Sequence, residues 1–186
     1  MDKTSIRSRV ITGAVATAAL GVAVAGVASA NTGGNGNGNA AQPPAAAAPA
    51  ANTTQSTHLT IDAATKAAQA ALDAAEKENQ RVSVAVVDRN GNTIVTLRGD
   101  GAGPQSYESA EKKAYTAVSW NAPTTDLVKR LEQTPNLKDI PGTLFLGGGA
   151  PVAVDNAPIA GIGVAGAPSG DLDQKFAAAG VAALNG

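Results

Sequence analysis

Both tyrosines and the single tryptophan of this sequence fall in one stretch, residues 107–120. It brings together two phenols (Tyr107, Tyr115), a hydroxyl (Thr116), an indole (Trp120) and two cations (Lys112, Lys113). At helical spacing Lys112 and Tyr115 lie three apart and Thr116 follows Lys112 by one turn, so the three share a face. Such a face offers apolar contact beside positive charge, which suits an amphipathic ligand bearing carboxylates. The competing reading is structural. The aromatic rings would then pack into the core or an oligomer interface, and the Thr116 hydroxyl would bond back to its own helix.

The rest of the inventory excludes whole classes of chemistry. His58 is the single histidine and the chain has no cysteine, so thiolate catalysis and the usual nitrogen and sulfur zinc sites are absent. No Gly-x-Ser-x-Gly elbow accompanies His58, which argues against a serine hydrolase. Glu76 and Glu78, like Asp171 and Asp173, form close acidic pairs. Each pair reads either as a hard-ion site or as a solvated helix face or first turn. Gly161 to Gly166 matches the spacing of a dinucleotide fingerprint, but only one element remains after it, so no second parallel strand can follow. These glycines, and Gly147-Gly148-Gly149, are therefore read as places where backbones pack closely.

The elements that must position this stretch follow from periodicity. Thr60 caps a helix that runs to about Asn79, with Ile61, Ala64, Ala68, Ala71, Leu72 and Ala75 at helical spacing. Two β-branched runs, 82–88 and 93–97, flank Asn90-Gly91 and predict a hairpin. Ser106 is expected to cap the helix 107–120, and Pro123 to open a short helix to about Leu131. Thr143 to Leu146 reads as a buried strand, and 151–154 with 159–165 as a second hairpin turning at Asp155-Asn156. Ser169 caps the final helix, with Leu172, Phe176, Ala179 and Ala183 inward. Hairpins rather than βαβ units predict an α+β domain, an antiparallel sheet flanked by helices.

Residues 1–30 read as a secretory signal peptide: a basic start (Lys3, Arg7, Arg9), an apolar run from Val10 to Val27, and small residues at Ala28-Ser29-Ala30. A retained membrane anchor is the alternative. Residues 31–57 are Gly/Asn-rich and then Ala/Pro-rich, the composition of a disordered tether, which leaves 58–186 as a single domain. With a net charge of −1 and no basic stripe, nothing points to nucleic acid. The expected location is secreted or extracellular.

Several motifs together resemble the GlcG/HbpS family: Val82 to Asp88 with Gly91, Tyr107 to Ala114, Pro141 to Leu144, Gly161 to Gly166, and Ser169 to Asp173. The resemblance runs from Leu59 to Leu184 and, with the leader and tether, points to the secreted haem-binding HbpS branch. It implies a profilin-like fold and a homo-oligomer, an octamer in that branch. It also implies haem and iron binding, slow oxidative haem degradation, and redox-dependent interaction with the ectodomain of a membrane sensor histidine kinase. Other branches are linked to small metabolites or corrinoids. The haem contacts it implies centre on the segment 114–119, with Thr116 foremost; Tyr115 and Lys112, from their shared helix face, and Tyr107 and His58, from the inventory of donors, are further candidates. Methionine occurs only at position 1, so an axial ligand must be His58, Tyr107, Tyr115 or a weaker donor, which argues against strong bis-ligated haem and leaves a labile, partly exposed haem with weak ligation open.

Overall fold

The computed structural model describes residues 46–185. The expected signal peptide and residues 31–45 of the expected tether lie outside them. Residues 46–58 are exposed and include a single 3-10 turn, Ala50–Asn52. No helix among the described residues is long and apolar enough to cross a membrane.

Four antiparallel strands form one sheet in the order β2-β1-β4-β3. They are β1 (Ser83–Asp88), β2 (Thr93–Arg98), β3 (Gly149–Val154) and β4 (Ala157–Ala165). The helices are α1 (Ile61–Lys77), α2 (Pro104–Trp120), α3 (Thr124–Arg130) and α4 (Gly170–Ala182). Strand alternation sorts the layers. Val84, Val86, Ile162 and Val164 face α1 and α4 in a core that includes Ala68, Leu72 and Phe176, whereas Ala85 and Val87 meet Ala110, Ala114 and Val118 of α2. The α+β sandwich expected from the hairpins is the fold observed.

Both hairpins turn where the sequence placed them. Gly91 (φ 87°) donates its amide to Asp88 O at 3.0 Å, and Asp155 and Asn156 both take left-handed φ, 48° and 63°, as a tight two-residue turn requires. The Asp88 carboxylate anchors the first turn, accepting from Asn90 N at 2.8 Å and Asn92 N at 2.9 Å. Burial pushes this carboxyl upward. The hydrogen bonds from Asn92 and Asn90, with the charge of His58, outweigh it and hold the group below its ordinary range. The caps at Thr60 and Ser169 also form: their hydroxyls accept from Ala63 N and Leu172 N, each at 3.2 Å.

Three expectations are corrected. Helix α2 begins at Pro104, with Gly103 as its cap, because proline is preorganised for the first helical position. Ser106 lies inside the helix and buried, sharing a 2.8 Å hydrogen bond with Ser83. Residues 143–146 are not a strand. Thr143 turns back to Ile140 O, Leu144 N binds a side chain, and only Phe145 is buried, edge-on to Trp120 with ring centroids 5.2 Å apart. On α4 the buried face is Asp173, Phe176, Ala177 and Gly180, while Leu172, Ala179 and Ala183 are only half-buried.

Candidate functional site

Helix α2 is seated on bare backbone. Gly161 and Gly163 of β4 face it, and a β-carbon at Gly163 would collide with Ala110 O and stand 2.6 Å from Ala114 N. One at Gly161 would collide with Ala114 O. The glycine run is therefore a docking strip for a helix, and Ala110, Ala114 and Ala117 complete the close contact from the other side. This seat fixes which side chains of α2 turn outward beside the edge strand β2.

They form a cleft of about 180 Å³, lined by Val87, Gly91, Thr93, Glu111, Lys112, Tyr115 and Gly142. The Tyr115 ring is one of its walls. A β-carbon at Gly91 would lie 2.9 Å from Cε2 of the ring and one at Gly142 3.6 Å from Cε1, so two glycines leave the ring its slot. Among the described residues none shares a hydrogen bond with the Tyr115 hydroxyl. Glu111 Oε1 accepts from Thr96 Oγ1 at 3.3 Å and sits near Thr93 Oγ1 at 3.5 Å, which ties α2 to the edge strand. Lys112 Nζ lies 2.6 Å from Glu108 one turn back. That hydrogen bond and charge hold the Glu108 carboxyl below its ordinary range. The pair is exposed, so Lys112 can exchange partners at little cost.

Of the residues expected at the site, Lys112 and Tyr115 share this cleft and Thr116 does not. Thr116 is fully buried; its hydroxyl donates to Lys112 O at 2.7 Å and accepts from Leu144 N at 2.8 Å. The expected shared face is corrected on this point: one residue past Tyr115 the helix has turned by about 100°, toward the domain interior. Tyr107 is exposed two turns N-terminal to Tyr115 and does not line the cleft. His58 is exposed, with its Nε2 2.6 Å from Ser56 Oγ, and lies near enough to the β1–β2 turn to act on Asp88. Glu76 and Glu78 are not brought together. Glu76 lines a separate hollow with Arg81 and Asp100, and Glu78 pairs with Lys175 of α4. Among the described residues no three histidine, cysteine or carboxylate side chains gather as a metal site.

The sequence reading missed a buried ion pair. Lys113 Nζ and Asp173 Oδ2 are 2.7 Å apart with both side chains 5% exposed, and the amine also donates to Val164 O at 3.0 Å. Asp173 Oδ1 accepts from Ala167 N at 3.0 Å. Gln174 continues the network, accepting from Gly148 N at 3.1 Å and donating to Gly149 O at 3.0 Å. The signal was readable. Lys113 falls among Ala110, Ala114 and Ala117 on the apolar face of its helix, where a charge needs a partner.

The HbpS-like family model, described as haem degrading protein HbpS-like, matches residues 59–182. A double mutant of HbpS from Streptomyces reticuli is 71% identical, with a TM-score of 0.74 over 76% of this chain and 97% of that one. A PduOC:haem complex is 28% identical, with a TM-score of 0.63 over 68% of this chain and 95% of that one. The corrinoid adenosyltransferase PduO of Salmonella typhimurium is 32% identical over 122 residues, which span 63% of this chain but only 36% of that enzyme. With the matched region covering both sheet faces, α2 and the cleft, the chain belongs to the HbpS-like family of haem degrading proteins.

Proposed function

We propose that this chain is an exported haem-binding protein, acting as a redox-sensing accessory to the ectodomain of a membrane sensor histidine kinase. Slow oxidative haem degradation with iron retention is its secondary activity, and it works as a homo-oligomer, an octamer. The family's description as haem degrading and the similarity to a PduOC:haem complex support the haem part of this reading.

One observation carries it: the Tyr115 phenol stands without a hydrogen-bond partner among the described residues, beside Lys112, in a slot walled by Gly91 and Gly142. These residues fit the edge of a tetrapyrrole. Tyr115 presents an oxygen donor of the kind that ligates haem iron, Val87 and the ring supply apolar contact, and Lys112 is placed to leave exposed Glu108 for a propionate. Glu111 also lines the cleft, with its Oε1 engaged by the β2 threonines. Bound haem supplies the redox-active iron that the polypeptide lacks.

Haemin titration of the mature protein is expected to give a Soret band. Tyr115→Phe should weaken binding about tenfold or more and shift the band, and Lys112→Ala should weaken it about fivefold without a shift. Wild-type affinity in both variants, with the assembly intact in size-exclusion chromatography, would remove this cleft from the haem site. His58→Ala is expected to lower affinity by less than about threefold, because a residue outside the cleft acts at most through charge. A collapsed Soret band in that variant would make His58 the ligand instead. The second reading, corrinoid handling, is favoured by the match to corrinoid adenosyltransferases. A parallel titration with cobalamin separates the two.

A further inference from the structure

The cleft is small for the ligand proposed. Sites that bury a drug-sized ligand run to about 300–1,000 Å³, against about 180 Å³ here. One of its walls is unlike the others. Val87, Gly91, Thr93 and the α2 side chains sit on the sheet and its packed helix, whereas Gly142 comes from the long connection between α3 and β3.

From Glu132 to Gly142 no residue of that connection is buried. Its backbone hydrogen bonds close on themselves: Gln133 N and Thr134 N reach Arg130 O, Leu137 N reaches Thr134 O, Ile140 N reaches Leu137 O, and Thr143 N reaches Ile140 O. The chain is pinned again only at Leu144, through its amide to Thr116 Oγ1, and at Phe145 against Trp120. Gly142, at φ 79°, stands just before that pin. A segment with few buried contacts and self-contained hydrogen bonds opens at low free energy.

We propose that residues 132–143 form a flap over the Tyr115 cleft, and that Thr116 is the positioning residue that latches it shut through the Leu144 amide. This rests on the reading of the cleft as the haem site. Opening at Gly142 removes the wall facing Cε1 of Tyr115 and enlarges the cleft without disturbing the sheet. Thr116 suits the role because its hydroxyl bridges helix and flap: it donates to Lys112 O and accepts from Leu144 N. Serine can make both bonds, and valine fills the space but makes neither.

The test is stopped-flow haemin association with the mature full chain, together with amide hydrogen exchange over 132–144. Thr116→Val is expected to expose the flap amides to fast exchange and raise the association rate about fivefold, with the Soret position unchanged. Thr116→Ser should behave as the wild type. The double variant Leu137→Gly, Ile140→Gly changes only residues of the flap, removing two side chains and loosening its backbone, and should also raise the rate, which keeps the test open if Thr116→Val does not fold. Unchanged exchange in Thr116→Val overturns the latch. Faster exchange with an unchanged association rate overturns the gate while leaving the haem reading standing. A Soret shift in Thr116→Val makes Thr116 a ligand contact instead. Wild-type protein that binds no haemin sinks the haem reading, and the gate with it.

Discussion

Gly163→Ala is expected to destabilise the domain by at least about 3 kcal/mol, the upper part of the range for overpacking, and Gly163→Val to prevent folding. The added β-carbon would collide with Ala110 O and stand 2.6 Å from Ala114 N, both backbone atoms of α2, so no side-chain rotamer relieves the contact. The helix must lift or the strand must bend. Either displaces Lys112 and Tyr115, so a Gly163→Ala protein that still folds should also lose haemin affinity. Small domains are stable by about 5–15 kcal/mol in all, and this core is built mostly from alanine and valine, so it has little surplus. Chemical denaturation followed by circular dichroism is the measurement. A loss under about 1 kcal/mol would mean that α2 does not rest directly on β4.

Local rules carried the fold because each worked within a few residues. Gly91, Asp155 and Asn156 adopt the left-handed φ that their turns demand, and Thr60 and Ser169 satisfy helix amides three residues on. The fingerprint-like glycines were readable as packing strips because the topology left no room for a nucleotide fold. Where the outcome depended on partners distant in sequence, the reading failed. Thr143 to Leu146 has strand-like residues, but β3 already forms the sheet edge from Gly149 onward, so Leu144 gives its amide to Thr116 instead. Ser106 has the chemistry of a cap, yet Pro104 starts the helix earlier and the Ser106 hydroxyl is engaged with Gly103 O and Ser83 instead.

The site shows the same division. Helical spacing put Lys112, Tyr115 and Thr116 on one face, and the first two do line one cleft. Gly142 was not legible, because it reaches the cleft from an irregular connection whose path no periodicity describes. Thr116, placed there by spacing as well as by resemblance, is buried, because one residue past Tyr115 the helix has already turned inward. Asp173 read as a first-turn residue favourable to the helix dipole, which its position allows; that it is also the buried partner of Lys113, 60 positions away, only the tertiary structure could show.

Lys113→Met is expected to destabilise the protein by about 3–5 kcal/mol at neutral pH, since breaking a buried pair leaves an uncompensated charge behind. The pH dependence gives the effect its signature. Burial is the largest influence on the Asp173 carboxyl and raises it above its ordinary value, opposed by the charge and hydrogen bond of Lys113 and by the Ala167 and Gly166 amides. A carboxyl raised in the folded state binds its proton more tightly there than in the unfolded chain. Its contribution to stability is therefore complete below the unfolded pKa, about 4, and is lost as pH rises through the folded value. Methionine at 113 removes two of the opposing influences, so the folded value climbs further and the window of loss widens upward. The deficit of Lys113→Met should thus be largest at pH 7–8 and shrink toward about pH 3, below the unfolded pKa, where Asp173 is mostly neutral in both states. Adding Asp173→Asn removes the charge but keeps an oxygen for Ala167 N, so the double variant should recover at least about half the loss and flatten the pH profile. Thermal melts of the wild type and both variants across about pH 3–8 test this. A deficit of Lys113→Met that does not change with pH would show that the lost contact with Val164 O, and not the stranded carboxylate, sets the cost.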